Sequence, residues 1–267
     1  MTATPGWAGR MATPSAGRAT SVALRPRFGA TERTLHWIHA AGFTAMLATG
    51  LVLYLPALSG LGGRPLVKAL HLGSAVAWGL GLALVALLGD HAALRATRRQ
   101  VERLDGDDLR WLRGSRAPQG RFNAGQKLHT VLQAAFAALL IVSGALLWLG
   151  ERNTSFQLSG TVPLHDGATF VTVALVLGHL FLALVWRPTR PALRGIVRGS
   201  VDAAWANRHH AKWARDDAPG PRRRRPTRRR LGLAAVVALV GLIALGSFVR
   251  DAAAAPDESG AALLYPR

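Results

Sequence analysis

Apolar residues are gathered along this chain in five long blocks, separated by polar and strongly basic segments. The blocks lie near residues 35–55, 66–88, 128–149, 165–186 and 231–249, each rich in Leu, Ala, Val and Gly, and none holds an Asp, Glu, Lys or Arg deep in its middle. At helical rise, roughly 20 residues cross a hydrocarbon layer about 30 Å thick. Each block therefore predicts one membrane-spanning helix, and the fold class is an all-α integral membrane protein. The frequent Gly inside the blocks suits close helix packing in lipid. No internal sequence repeat is evident.

Composition sharpens this picture. Half of the 267 residues are hydrophobic, yet the formal charge is +19. Ordinary globular burial and simple disorder both fit that combination badly. Lys and Arg are segregated: 28 fall in the segment before the first block and in alternate connections, against 5 in the remaining ones. Because cytoplasmic loops accumulate positive charge, the N-terminus is predicted inside and the C-terminus outside. The run "RRRRPTRRR" at 222–230 resembles a phosphate-binding stretch, but it directly precedes an apolar block and explains that block's orientation, so no nucleic-acid partner is expected. Residues 1–30 read as a flexible cytoplasmic tail without an apolar core long enough for a secretory signal. Residues 31–216 form the main domain, 217–230 a basic cytoplasmic linker, 231–249 a fifth spanning helix and 250–267 an outer tail. Cysteine is absent, which excludes disulfides and thiolate ligands.

The candidate chemistry lies in the histidines. His165 and His179 are 14 residues apart in the fourth block, about 21 Å of helical rise and only about 40° from alignment. One helix thus presents an imidazole near each membrane surface. With the predicted orientation, His36 lies at the inner level with His179, and His71 at the outer level with His165. Two histidine pairs stacked across a helix bundle can each take an iron, the arrangement that holds two b-type haems with bis-histidine ligation. The alternatives are structural hydrogen bonding between helices and zinc. Zinc is disfavoured because only two histidines meet at each level, although Asp166 beside His165 weakens that argument at the outer one. Gly73, Gly167 and Gly178 lie near the ligands and would leave room for a porphyrin face.

The segments "ERTLHW" (32–37), "LVKALHLG" (66–73), "GRFNAGQKLH" (120–129), "LHDGATFVTVALVLGHLFLALVW" (164–186) and "RGIVRGSVDAAWANRHHAKWARD" (194–216) resemble, in order and spacing, the membrane cytochrome b subunit of respiratory formate dehydrogenases. The resemblance covers about residues 27–216. It implies a four-helix diheme bundle with His71 and His165 on the outer haem iron and His36 and His179 on the inner one. It also implies a quinone pocket near the inner haem, formed by Asn123, Gly125, Gln126 and His179. The implied partners are an iron–sulfur subunit and a molybdenum or tungsten catalytic subunit that oxidises formate; this chain would pass electrons to quinone and anchor the complex in the lipid of a bacterial cytoplasmic membrane. From the residues alone, "RFNAGQK" reads as a polar turn and helix start rather than as a pocket. The competing functions are the cytochrome subunit of a hydrogenase or another quinone-linked oxidoreductase and, from a different class, a non-redox transporter or membrane anchor.

The chain departs from that family at Asp166, where small apolar residues are usual and where Arg64 and Lys68 stand ready to compensate the charge, and in its fifth span. His39 reads as packing, and His91 and His129 as candidates for proton entry. "WANRHHAKW", with His209 and His210, reads as an interfacial amphipathic element.

Overall fold

The computed structural model describes residues 23–58, 60–215 and 226–254. Five helices are long and apolar enough to cross a membrane: α1 (Ala30–Tyr54), α2 (Arg64–Leu88), α5 (Ala124–Gly150), α6 (Thr161–Leu180) and α10 (Arg228–Ala254). Each coincides with a predicted block. α6 runs on as a π-helical turn, Phe181–Val185, closed by Trp186 N–H donating to the Phe181 carbonyl at 2.9 Å. Large apolar side chains such as Val142, Leu177, Leu239 and Ile243 are exposed on the helix faces. In a spanning helix those faces meet lipid.

The helices are arranged as two hairpins and a flanking helix. α1 packs on α2, α5 on α6, and α10 on the far side of α2. Glycines permit the close approaches: a Cβ at Gly42 would lie 2.6 Å from the Trp78 ring, and one at Gly241 would lie 2.7 Å from Leu80. Both hairpins turn at glycines with positive φ, Gly63 before α2 (φ +72) and Gly160 before α6 (φ +84), a region that side-chain-bearing residues avoid. Gly73, predicted to face a porphyrin, instead faces Leu245 of α10, whereas a Cβ at Gly167 or Gly178 would meet open space.

Between α2 and α5 lie two short helices outside the apolar blocks, α3 (His91–Glu102) and α4 (Gly106–Leu112). Both begin at aspartate caps. Asp90 accepts from Ala92 N–H and Ala93 N–H, and Asp105 from Asp107 N–H and Asp108 N–H. Lys127, at the start of α5, holds α4 through a buried ion pair with Asp108 at 2.6 Å. After α6 come α7 (Leu193–Arg198), α8 (Ala203–His209) and α9 (Ala211–Arg215).

The predicted tail through residue 30 needs correction where the structure describes it. Leu24–Pro26 is a strand, β1, paired antiparallel with β2 (Ser200–Asp202) in a two-stranded sheet. Local sequence could not announce this pairing, because its partner lies beyond four spanning helices. Residues 1–22, 216–225, which take in most of the predicted linker, and 255–267, most of the outer tail, lie outside the described residues. α10 extends past the predicted bounds of the fifth span at both ends.

One face of "WANRHHAKW" is buried inside the protein. Val201, Trp205 and Ala206 form a buried cluster, and His210 is only 1% exposed. The polar flanks Arg208 and Lys212 suggest a surface segment, but β1 covers it and brings Arg25 and Arg27 over the Trp213 ring at 5.0 and 5.9 Å.

Candidate metal centres between the hairpins

The structure brings the four predicted histidines together in two pairs. His71 on α2 faces His165 on α6 with ring centroids 6.5 Å apart and planes at 75°. His36 on α1 faces His179 on α6 at 6.2 Å and 57°. Neither pair is joined by a hydrogen bond. Two imidazole–metal bonds of about 2 Å each, added to the two half-rings, span roughly 6 Å between centroids. Both separations match that span, and both exceed the 5.2 Å of the stacked pair His129–His179.

The two levels hold their rings differently. At the level predicted to be outer, His71 Nδ1 lies 3.0 Å from Thr49 Oγ1 on α1, and His165 Nδ1 lies 2.9 Å from Ser143 Oγ on α5. Each hydroxyl is followed by a glycine close to the same ring: a Cβ at Gly50 would be 3.2 Å from His71 Cε1, and one at Gly144 would be 3.4 Å from His165 Cε1. At the inner level, the Trp37 ring stands edge-on to His36 at 5.2 Å and His129 stacks on His179 at 13°. His39 packs against Trp78 at 5.6 Å.

Thr49, Gly50, Ser143 and Gly144 were absent from the residues singled out by sequence. Their signal is a hydroxyl residue and a glycine, with a histidine 22 residues after the hydroxyl, and it occurs once in each hairpin. That short correspondence is too sparse to register as a repeat. Lys68 also departs from expectation: it pairs with Glu151 at 2.5 Å rather than with Asp166.

Asn123, Gly125 and Gln126 start α5, as the helix-start reading has it. Asn123 Oδ1 accepts from Gln126 N–H at 2.8 Å, and Gln126 Oε1 accepts from Asn123 N–H at 3.1 Å, which is a reciprocal capping box. Gln126 Oε1 also accepts from Arg27 at 3.3 Å. Both amide oxygens are thereby engaged by donors, so each NH2 group is left as a donor. Gly125 lies against α4, where a Cβ would meet the Trp111 ring at 3.3 Å.

Behind this turn stands a buried polar brace. His210 Nδ1–H donates to the Gly120 carbonyl at 2.6 Å, which leaves Nε2 to accept from Arg27 at 3.3 Å. Burial, reinforced by the Arg27 guanidinium, pushes the His210 pKa down to about 4, so the ring is neutral. Burial also lowers Arg27 to about 10, with the Arg121 charge adding to it. Arg121 pairs with Glu32 at 3.0 Å, and Thr97 donates to the same carboxylate. Lys212, on α9, bridges Asp105, the cap of α4, and Asp107 within it, and holds Asp105 down at about 2.

The donor sets fit a haem. Among the described residues no group of three or more His, Cys, Asp or Glu side chains could hold a metal ion. Each pair of facing imidazoles could hold the iron of a haem, which would supply one-electron chemistry there. The indole nitrogens of Trp78 and Trp148 and Gln133 Oε1 are buried without partners, polar atoms on α2 and α5 that the protein itself does not use.

Residues 27–199 match the family model described as prokaryotic cytochrome b561. Among curated proteins, the chain is 27% identical over 205 residues to the formate dehydrogenase cytochrome b556(fdo) subunit of Escherichia coli K12, covering 71% of this chain and 92% of that one. It is 27% identical over 204 residues to the formate dehydrogenase cytochrome b556 subunit of Haemophilus influenzae, covering 69% and 80%. With the nitrate-inducible formate dehydrogenase cytochrome b556(Fdn) subunit of E. coli K12 it shares 24% over 202 residues, covering 69% and 88%.

Proposed function

We propose that this chain, which belongs to the prokaryotic cytochrome b561 family, is the membrane subunit of a formate dehydrogenase, carrying two b-type haems and reducing quinone. The observation that carries this reading is the facing of His71 with His165 and of His36 with His179 at separations that admit an iron. The names of the relatives supply the complex.

His71 and His165 hold the outer haem, and His36 and His179 the inner one. A haem supplies one-electron oxidation and reduction at its iron, so two of them at different depths link the membrane surfaces. The N-terminus is cytoplasmic and the C-terminus outside, by the segregation of Lys and Arg. An external iron–sulfur subunit delivers electrons taken from formate by a molybdenum or tungsten subunit. Quinone binds at the start of α5, where the NH2 groups of Asn123 and Gln126 donate to a ring carbonyl and His179 lies close to the inner haem. Its reduction consumes two electrons and two protons, and the cytoplasmic position of the α5 start sets the side from which the protons come. Gly167 and Gly178 face open space, which supports room for the macrocycles.

The test is purification of the tagged chain from native membranes, followed by a dithionite-reduced minus air-oxidised spectrum and haem quantification. Two b haems per chain, together with a molybdopterin subunit and an iron–sulfur subunit, are expected. Absence of a haem b spectrum would overturn the redox reading. Recovery with a nickel–iron hydrogenase would replace the formate complex.

A further inference from the structure

The two outer histidines share a feature that the inner pair lacks. Thr49 Oγ1 donates its proton to the Ala45 carbonyl at 2.8 Å, and Ser143 Oγ donates to the Leu139 carbonyl at 2.8 Å. A hydroxyl has one proton. With that proton given to the preceding turn of its own helix, each oxygen meets the imidazole only as an acceptor. Nδ1 of His71 and Nδ1 of His165 must therefore carry hydrogen, and the lone pair of each ring must be on Nε2. Gly50 and Gly144 let the hydroxyl-bearing helices come close enough for these bonds, since a side chain at either would press on the ring.

Among the described residues no side-chain hydrogen bond fixes His36 or His179; their neighbours are aromatic rings. The difference has an electronic consequence. An imidazole that donates its distal N–H becomes a more basic ligand, and a more basic ligand favours the ferric state. From this we infer that Thr49 and Ser143 are positioning residues that set the tautomer of the outer ligands and lower the potential of the outer haem relative to the inner one. Two hairpins supply the same device by separate residues, so it does not depend on one contact. The inference rests on the diheme reading above and deepens it: the chain itself builds a downhill step from the outer level to the inner level.

The experiment compares the intact complex with Thr49→Val, Ser143→Ala and the double variant, each titrated potentiometrically while low-temperature absorbance and the low-spin ferric EPR signals are followed. The outer haem is identified beforehand as the component lost in His165→Ala. Its midpoint potential should rise in each variant and most in the double variant, with its EPR g-values displaced and the inner component unmoved. Thr49→Ser and Ser143→Thr should restore the parental values. If the apolar variants fail to hold haem, Ser143→Cys, nearly the same shape but a weak acceptor, must still raise the outer potential. Unchanged potential and EPR signals in a haem-retaining variant overturn the inference while leaving the diheme reading intact. A parent complex without two distinguishable b haems, or one in which His165→Ala removes neither, would sink the diheme reading instead.

Discussion

The outer and inner histidine levels are built by different physics. At the outer level each ring is tied by a hydroxyl from the neighbouring helix of its own hairpin, at 3.0 and 2.9 Å. At the inner level the rings rest against aromatic neighbours, and the polar bonding is displaced outward to the brace of Arg27, Arg121 and His210 behind the start of α5. A hydrogen bond between helices fixes a ring's rotation as well as its position, while a stacked ring can tilt in its own plane at little cost. In the proposed function the hydrogen-bonded level receives electrons from a partner, and the stacked level lies toward the α5 start, where quinone is proposed to bind. The same protein thus orients its facing histidines in two ways, by hydroxyl contacts at one level and by aromatic packing at the other.

The strongest test of this division is removal of the ligands. His71→Ala and His165→Ala should each cost the outer haem, and His36→Ala and His179→Ala the inner one. Without the outer haem, electrons from the partner should not enter; without the inner haem, the outer one should still be reduced while quinone reduction stops. Haem-to-protein stoichiometry with low-temperature spectra checks the pairing. It fails if His36 and His71 variants lose the same spectral component while His165 and His179 variants keep both.

Next in size is the brace behind the inner level. His210 has its folded pKa depressed to about 4 from an ordinary value of 6.5, so the unfolded chain binds the proton first. Its contribution to stability is therefore complete above pH 6.5 and is lost as the pH falls toward 4, by about 3 kcal/mol in all. Thermal unfolding of the detergent-solubilised protein should show a midpoint falling through that window. His210→Gln, which cannot charge, should begin less stable at pH 7 and show a flatter acid limb; an unaltered limb would place the titration elsewhere.

That brace also marks what sequence could and could not deliver. The five spans were legible because hydrocarbon thickness imposes a long, one-dimensional signal on each helix. The pairing of His36 with His179 and of His71 with His165 followed from helical rise and loop charge, two constraints that act along the membrane normal. What remained hidden were contacts made sideways. The bond between Arg27 and His210 joins residues 183 apart, and the one between Thr49 and His71 depends on which faces of two helices meet. Thr and Ser in apolar helices ordinarily satisfy their hydroxyls on their own backbone, so neither Thr49 nor Ser143 stood out. His210 was misleading for a further reason: Arg208 and Lys212 beside it advertise a surface, while Arg27 and the Gly120 carbonyl, which engage both of its ring nitrogens, come from distant parts of the chain.

A smaller effect separates the capping and the substrate roles of the α5 start. Asn123→Ala removes both the cap oxygen and the NH2 group, and should cost about 1 kcal/mol of stability while slowing reoxidation of reduced haem by quinone. Asn123→Asp keeps the cap oxygen that accepts from Gln126 N–H but offers no donor in place of the NH2. It should therefore remain as stable as the parent and still be slow with quinone, with haem content unchanged in both variants. Stopped-flow haem reoxidation beside thermal unfolding resolves the two roles; normal reoxidation in a stable Asn123→Asp protein would return the segment to a purely structural one.

The smallest predicted effect bears directly on the difference between the levels, and it compares the two hairpins with each other. A methyl group at Gly50 would stand 3.2 Å from His71 Cε1, tighter than an ordinary carbon contact, whereas one at Gly144 would stand 3.4 Å from His165 Cε1. Neither clash is with backbone, so the ring has only to give by a small displacement, and overall stability should fall by about 1 kcal/mol or less, at the low end for overpacking. The displaced ring, however, is held by a hydrogen bond and is the proposed iron ligand. Gly50→Ala should therefore shift the outer-haem absorbance and EPR signals visibly while the inner-haem signals stay fixed, and Gly144→Ala should shift them less. Equal perturbation of both haems by either variant would mean that the strain spreads through α1 and α5 as whole helices, and the outer level would then lack the local rigidity that its hydroxyl bonds are argued to confer.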